Sequence, residues 1–312
     1  LTAEGKVPFE YEVPISGQGY QKIVMSLSGD DLEPDNDLNM AYFSAPTLKA
    51  VVVNGRPNSV PTLDASYYLR SALDPGWKRG ASGLMGISAT VVTLDEMTDR
   101  LLEDANVLFI VDLPAFSPSI RDAIVKYVKS GGGLVVVPGS QVVADQYNLV
   151  LSRPVGSEAF LPGICRNLAI AEGEAAYYVN FASLSLLHPL WAGIPEKTLQ
   201  DLCNEPFNSV AHLDTDPSVP DVELLAGMES GWPAVLSYRC GLGRVVQLAF
   251  PLDRQSSALP LRTVFPPLCH RLAHYAAGTL VGLRKYTEVG KPMSLFLRKA
   301  TGDSTFKVTY PS

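Results

Sequence analysis

Apolar positions recur along the chain in more than one texture. Near the start, Val7, Phe9, Tyr11 and Val13 alternate with polar neighbours, and 23–27 repeats the alternation, which predicts half-buried β-strands. The run Ser28-Gly29-Asp30-Asp31-Leu32-Glu33-Pro34-Asp35-Asn36-Asp37 is an acidic turn, and 39–43 reads as a third strand. Three strands make too small a sheet to stand alone, so 1–45 is expected to be the closing part of a β-sandwich. After Pro46 the texture changes. Leu48 to Val53 is a continuous apolar run closed by Asn54-Gly55-Arg56-Pro57, which suits a strand covered on both faces.

Helical spacing follows within 64–73, at Tyr67, Tyr68, Leu69 and Leu73. Strands are expected at 87–92 and 107–111, with a short helix at 95–102 between them. The next helix carries the clearest signals. Ser117 can cap it, Pro118 fits its first position, and Ile120, Ala123, Ile124, Tyr127 and Val128 form one apolar stripe. Gly131-Gly132-Gly133 ends it, and 134–137 is a fourth strand. Strand and helix alternating at this spacing predict an α/β, doubly wound, mainly parallel sheet over 46–279. Beyond about residue 160 the pattern loosens to a hairpin at 222–228 and 234–238, a strand at 244–250 and a helix at 263–277. Further strands at 293–297 and 306–310 make 280–312 the expected start of another sandwich.

Composition narrows the class without naming a reaction. Of 312 residues, 46% are apolar and 18% charged, which fits a packed globular chain and excludes a disordered one. The net charge of -7 disfavours non-specific binding to nucleic acid or an anionic membrane surface. The longest apolar stretches, at 105–111 and 276–283, are far shorter than the ~18 residues of a membrane span. The chain opens with Leu1-Thr2-Ala3-Glu4, without an initiator Met or a signal-peptide pattern, and so reads as a piece of something longer. Cys165, Cys203, Cys240 and Cys269 stand singly, which excludes zinc-ribbon and redox motifs on spacing. They read as four small buried hydrophobes, with a disulfide between two of them left open.

Three stretches carry a family resemblance: 127–136 (Tyr-Val-Lys-Ser-Gly-Gly-Gly-Leu-Val-Val), Phe250-Pro251-Leu252-Asp253-Arg254 with the segments 259–262 and 268–272, and the acidic turn 30–36. Over 48–278 the chain resembles the class I glutamine-amidotransferase-like, flavodoxin-like fold. The form it resembles is the non-catalytic one inside bacterial Bat-type (aerotolerance-regulator-like) membrane proteins, which often carry a von Willebrand factor A domain. The resemblance implies a membrane-anchored parent, an extracytoplasmic position for this fragment and partners among the proteins of a membrane-associated assembly. Membrane contact would then come only through segments outside the fragment.

A working amidotransferase needs a cysteine on a tight strand-to-helix elbow, a histidine base and an orienting carboxylate. Where the elbow is expected the chain reads Pro138-Gly139-Ser140-Gln141, and Ser140 lacks the second flanking glycine. Cys165 lacks it too, and neither His188 nor His212 begins a histidine-x-glutamate pair. His270 and His274 share a helix face, but the glutamate of a metal-binding H-E-x-x-H is replaced by Arg271, and a solvated face is the better account. The triple glycine closes a helix, the reverse of a phosphate loop. No metal site and no cofactor is expected. The carboxylates at 30–37 lack the EF-hand register.

Asp112, Ser140, Asp253 and Arg254 each follow a predicted strand, where open α/β sheets form their ligand crevice. An ion pair of Asp253 with Arg254, fixing the loop before the last helix, is expected, with Arg254 holding a carboxylate ligand as the other possibility. The reading that results is a non-enzymatic scaffold or interaction domain. Its rivals are an amidotransferase-like hydrolase using Ser140 or Cys165, and a small-ligand module using Asp253 and Arg254.

Overall fold

The computed structural model describes residues 19–26, 37–44, 46–83, 86–114, 117–152, 159–173 and 175–280. The chain divides between residues 47 and 48 into two units. In the first, β1 (Gly19–Ser26) and β2 (Asp37–Ser44) pair antiparallel, with Gly19 opposite Ser44 and Ser26 opposite Asp37. The sandwich expected at the two ends finds no support. The described N-terminal residues form this two-stranded ribbon, and the strands expected at 7–13, 293–297 and 306–310 lie outside the described residues, as do the carboxylates from Asp30 to Asp35.

The second unit is built on a seven-stranded sheet. Its strands are β3 (Leu48–Asn54), β4 (Ile87–Val92), β5 (Val107–Val111), β6 (Gly133–Val137), β9 (Glu223–Gly227), β10 (Pro233–Cys240) and β11 (Gly243–Leu248). The spatial order is β4-β3-β5-β6-β11-β10-β9. From β4 to β11 all neighbours are parallel, and β10 and β9 add an antiparallel edge. This is the α/β, mainly parallel fold that the alternation predicts. β5 shows why it forms: Val107, Leu108, Phe109, Ile110 and Val111 are each at most 2% exposed, because helices cover both faces. Each such side chain stabilises the fold by roughly 1.5–3 kcal/mol relative to leaving it in water.

The covering helices are α1 (Tyr67–Leu73), α2 (Asp99–Asp104), α3 (Pro118–Lys129) and α6 (Phe265–Ala276). α1 packs with α6, and α2 with α3. Right-handed crossovers put these pairs on opposite faces, since the chain winds outward from β3 to β4 and then reverses towards β5. α3 begins as the sequence predicts: Ser117 Oγ accepts from the Ile120 N–H at 3.4 Å and Pro118 takes the first position. The helix expected at 95–102 is instead split. Thr93 and Glu96 close a separate single turn through the Thr93 N–H and the Glu96 carboxylate (2.8 Å), and Thr98 caps α2 afresh.

Between β6 and β11 the chain makes a long excursion through α4 (Ala144–Tyr147), β7 (Gly163–Ile170), α5 (Glu196–Cys203), β8 (Ser209–Thr215), β9 and β10. β7 and β8 pair as a separate antiparallel ribbon, joined to the main sheet where the Ala211 N–H donates to the Ala249 carbonyl at 2.7 Å. All four cysteines are free and buried, which closes the disulfide alternative.

Candidate functional site

Sheet order reverses between β3 and β5, so the crevice of a doubly wound fold belongs at the carboxyl ends of these strands and their neighbours. Four loops meet there. β3 delivers Gly55-Arg56, β5 delivers Asp112, β6 delivers Gly139-Ser140-Gln141, and the segment after β11 delivers Asp253.

Arg56 joins three of the four. Its Nε donates to Asp112 Oδ2 at 2.6 Å, its Nη2 to Asp253 Oδ2 at 2.5 Å, and its Nη1 to the Leu63 carbonyl at 2.7 Å. The side chains are 14%, 1% and 6% exposed for Arg56, Asp112 and Asp253. A planar guanidinium suits this bridge because its N–H groups leave in fixed directions. The loop that carries Arg56 is braced from below. Asn54 Nδ2 donates to Asp64 Oδ2 (2.9 Å) and Ser66 Oγ (3.0 Å), and Asn54 Oδ1 accepts from the Arg56 N–H (3.1 Å).

Asp112 turns the chain out of β5 with φ 51°, the left-handed region that aspartate tolerates better than most residues. Its Oδ1 accepts from the Gln141 N–H at 2.7 Å, and Ser140 Oγ lies 3.5 Å from Oδ2. Two glycines permit this closeness: a Cβ on Gly55 would strike the Asp112 backbone, and one on Gly139 its carboxylate. Asp253 Oδ1 accepts from the N–H groups of Gln255 (3.1 Å) and Ser256 (3.0 Å). Two carboxylates and one guanidinium leave a formal charge of about -1, with donors on the lone pairs that a general base would need free.

Of the residues expected from sequence, Asp112, Ser140 and Asp253 therefore come together. Arg254 does not. It is exposed and, among the described residues, reaches the Ser257 carbonyl at 3.4 Å and not Asp253, so the expected Asp253–Arg254 pair is corrected to Asp253–Arg56, 197 positions apart. Arg56 is not among the residues that the sequence singles out, although it follows a predicted strand in the same way as the other candidates. That shared position was the signal available.

Among the described residues neither candidate nucleophile is hydrogen-bonded to a histidine, although Cys165 and His212 stand on the paired strands β7 and β8. Ser140 is exposed and meets a carboxylate. Cys165 is buried on β7, where burial pushes its thiol up to about 11, and the Asn148 side chain holds its backbone at 2.6 and 3.0 Å. His188 contacts the Tyr275 hydroxyl (3.4 Å), His212 stacks on Trp232 with centroids 3.8 Å apart, His270 meets the Ala72 carbonyl (3.0 Å) and His274 the Thr279 hydroxyl (2.8 Å). The two histidines of α6 thus have separate partners, and no cluster of three metal-binding side chains occurs among the described residues.

The class that fold and site define is a doubly wound α/β domain with an ion-paired crevice. No protein-family model matches the sequence, and no curated protein matches it significantly either. Among solved structures it is similar to a cytoplasmic protein from Salmonella typhimurium at 13% identity and TM-score 0.50, covering 83% of this chain and 96% of that one. A second cytoplasmic protein from Salmonella typhimurium LT2 aligns at 13% identity and TM-score 0.48, with the same two coverages. A ThuA-like protein from Bacteroides uniformis aligns at 15% identity and TM-score 0.48, over 75% of this chain and 93% of that one. At these identities the likeness concerns the fold alone.

These matches bear on the expected setting. They give no link to Bat-type membrane proteins. The expectation of an extracytoplasmic fragment of a membrane-anchored parent is corrected to one without support: the Salmonella typhimurium structure matched at TM-score 0.50 is itself described as a cytoplasmic protein. No described helix is long and apolar enough to cross a membrane.

Proposed function

We propose that the chain is a non-catalytic recognition domain, an amidotransferase-like α/β scaffold that acts by binding, with other proteins as its partners. One observation carries this reading: the Arg56 bridge to Asp112 and Asp253 occupies the switch point where a doubly wound sheet ordinarily opens its crevice. An elbow nucleophile and its base would have to converge on that place. Here side chains fill it that tie three strand ends together. The geometry of Ser140, whose hydroxyl faces the already bonded Asp112, supports the same reading.

The test is turnover by the purified protein. Ammonia release from L-glutamine and hydrolysis of p-nitrophenyl acetate are measured for the native protein, Ser140→Ala and Cys165→Ala. Equal, background-level rates in all three are the expected result. Turnover by the native protein that either single substitution abolishes would overturn the proposal in favour of the hydrolase.

A further inference from the structure

At the opposite end of the sheet, α2 and α3 leave between them a cavity of about 520 Å³. Ala105-Asn106 lead into β5 and Gly131-Gly132 into β6, so this end is the one remote from Arg56. The site is independent of the crevice and of what the crevice does. Buried Leu102 and Tyr127 and half-buried Ala123 supply apolar walls. The volume survives because Ala105 and Ala123 stand where larger side chains would fill it. Gly132 lies flat against the Tyr127 ring, and the Tyr127 hydroxyl donates to the Gly133 carbonyl at 3.2 Å, which fixes the ring as a wall.

The rim has one dominant sign. Asp99 and Glu103, one turn apart on α2, and Asp122 on α3 face a single ammonium, Lys126. Asp122 is engaged by Arg121 Nη1 at 3.1 Å. Among the described residues, Asp99 and Glu103 have no side-chain hydrogen bond or ion pair. The carboxyl-terminal turn of α3 also borders the cavity through Ser130, and the carbonyl end of a helix favours positive charge.

We propose that this cavity binds a small organic cation with an apolar or aromatic body. The hydrocarbon part seats on Leu102, Ala123 and Tyr127, and the ammonium faces Asp99 and Glu103. The volume falls within the ~300–1,000 Å³ of small-molecule sites. With Asp122 already paired to Arg121, Asp99 and Glu103 against the ammonium of Lys126 leave the rim negative, which selects a cation over an anion of the same shape.

Calorimetric titration with tryptamine, tryptophol and indole-3-propionate separates shape from charge, since the three share one ring system. Each exposed carboxylate–ammonium pair is worth up to about fivefold in affinity, so tryptamine is expected to bind about fivefold to twentyfold more tightly than tryptophol, and the anion weakest. The double substitution Asp99→Asn/Glu103→Gln brings tryptamine down to tryptophol. Ala123→Leu fills the cavity on a residue type that favours helix, and abolishes binding while the circular dichroism spectrum is retained. The proposal is overturned by equal binding of tryptamine and tryptophol, by no binding of any of the three at ~10 mM, or by tryptamine binding that survives Ala123→Leu. If Ala123→Leu fails to fold, the double substitution decides alone.

Discussion

Replacing Arg56 by methionine keeps the length of the side chain and removes its charge and donors. Asp112 and Asp253, 1% and 6% exposed, are then left facing one another without a counter-ion. Removing one partner of a buried ion pair costs about 3–5 kcal/mol, because the remaining charge stays desolvated. Two opposing effects set the value within that range. The Leu63 carbonyl loses a donor, worth about 1 kcal/mol, whereas the amides of Gln141, Gln255 and Ser256 still solvate the carboxylates. An Arg56→Met loss of about 4 kcal/mol is therefore expected, which at about 2–4 °C per kcal/mol lowers Tm by roughly 8–16 °C. Urea unfolding followed by circular dichroism measures it. Because the penalty belongs to stranded charge, Arg56→Met/Asp112→Asn/Asp253→Asn should recover at least half of the loss, asparagine being tolerant of the left-handed backbone at 112. A loss below about 1 kcal/mol in Arg56→Met, or a triple variant no more stable than the single one, would refute the assignment of the bridge as a structural clamp.

Gly139→Ala should destabilise by roughly 1–3 kcal/mol, and by clearly less in an Asp112→Gly background, since the obstacle to the new methyl is the Asp112 carboxylate; equal costs in both backgrounds would refute this. Burial pushes the Cys165 and Cys203 thiols up to about 11, leaving only about one molecule in a thousand as thiolate at pH 8; Ellman's reagent should find neither before urea is added, and rapid labelling of Cys165 in the native protein contradicts the packing. His188 is held below its ordinary value, first by burial and then by Arg244, against the opposing pull of Glu223. Folding thus favours its neutral form over its charged one, so its contribution to stability is complete above the unfolded value and is lost as pH falls through the lower folded value. Glu223→Gln should move the His188 midpoint lower still in an NMR titration, and an upward movement would show that Glu223 does not act as its counter-charge.

Much of the fold was legible because local chemistry and burial agree. The run from Val107 to Val111 has no polar position, and a strand without one must be covered on both faces. Ser117, Pro118 and the glycines after Lys129 bracket α3 with residues whose backbone preferences point the same way as its apolar stripe. β7 was missed for a definite reason. Its pairing with β8 shifts register between Cys165 and Asn167, so the strand carries an irregularity that breaks the two-residue period a reader would look for.

For the candidate site, sequence fixed positions along strands and left partnership open. Asp112, Ser140 and Asp253 could be named from their place after apolar runs. Which cation answers the carboxylates could not, because chain adjacency favoured Arg254 while the order of strands brought in Arg56 from 197 positions away. Hydrophobic period and turn chemistry are local, and they determined the layers and the strand ends. Ion pairs and cavities are made between elements distant in the chain, so the clamp at one end of the sheet and the acid-rimmed hollow at the other were decided only when the strands took their order and the helices their faces.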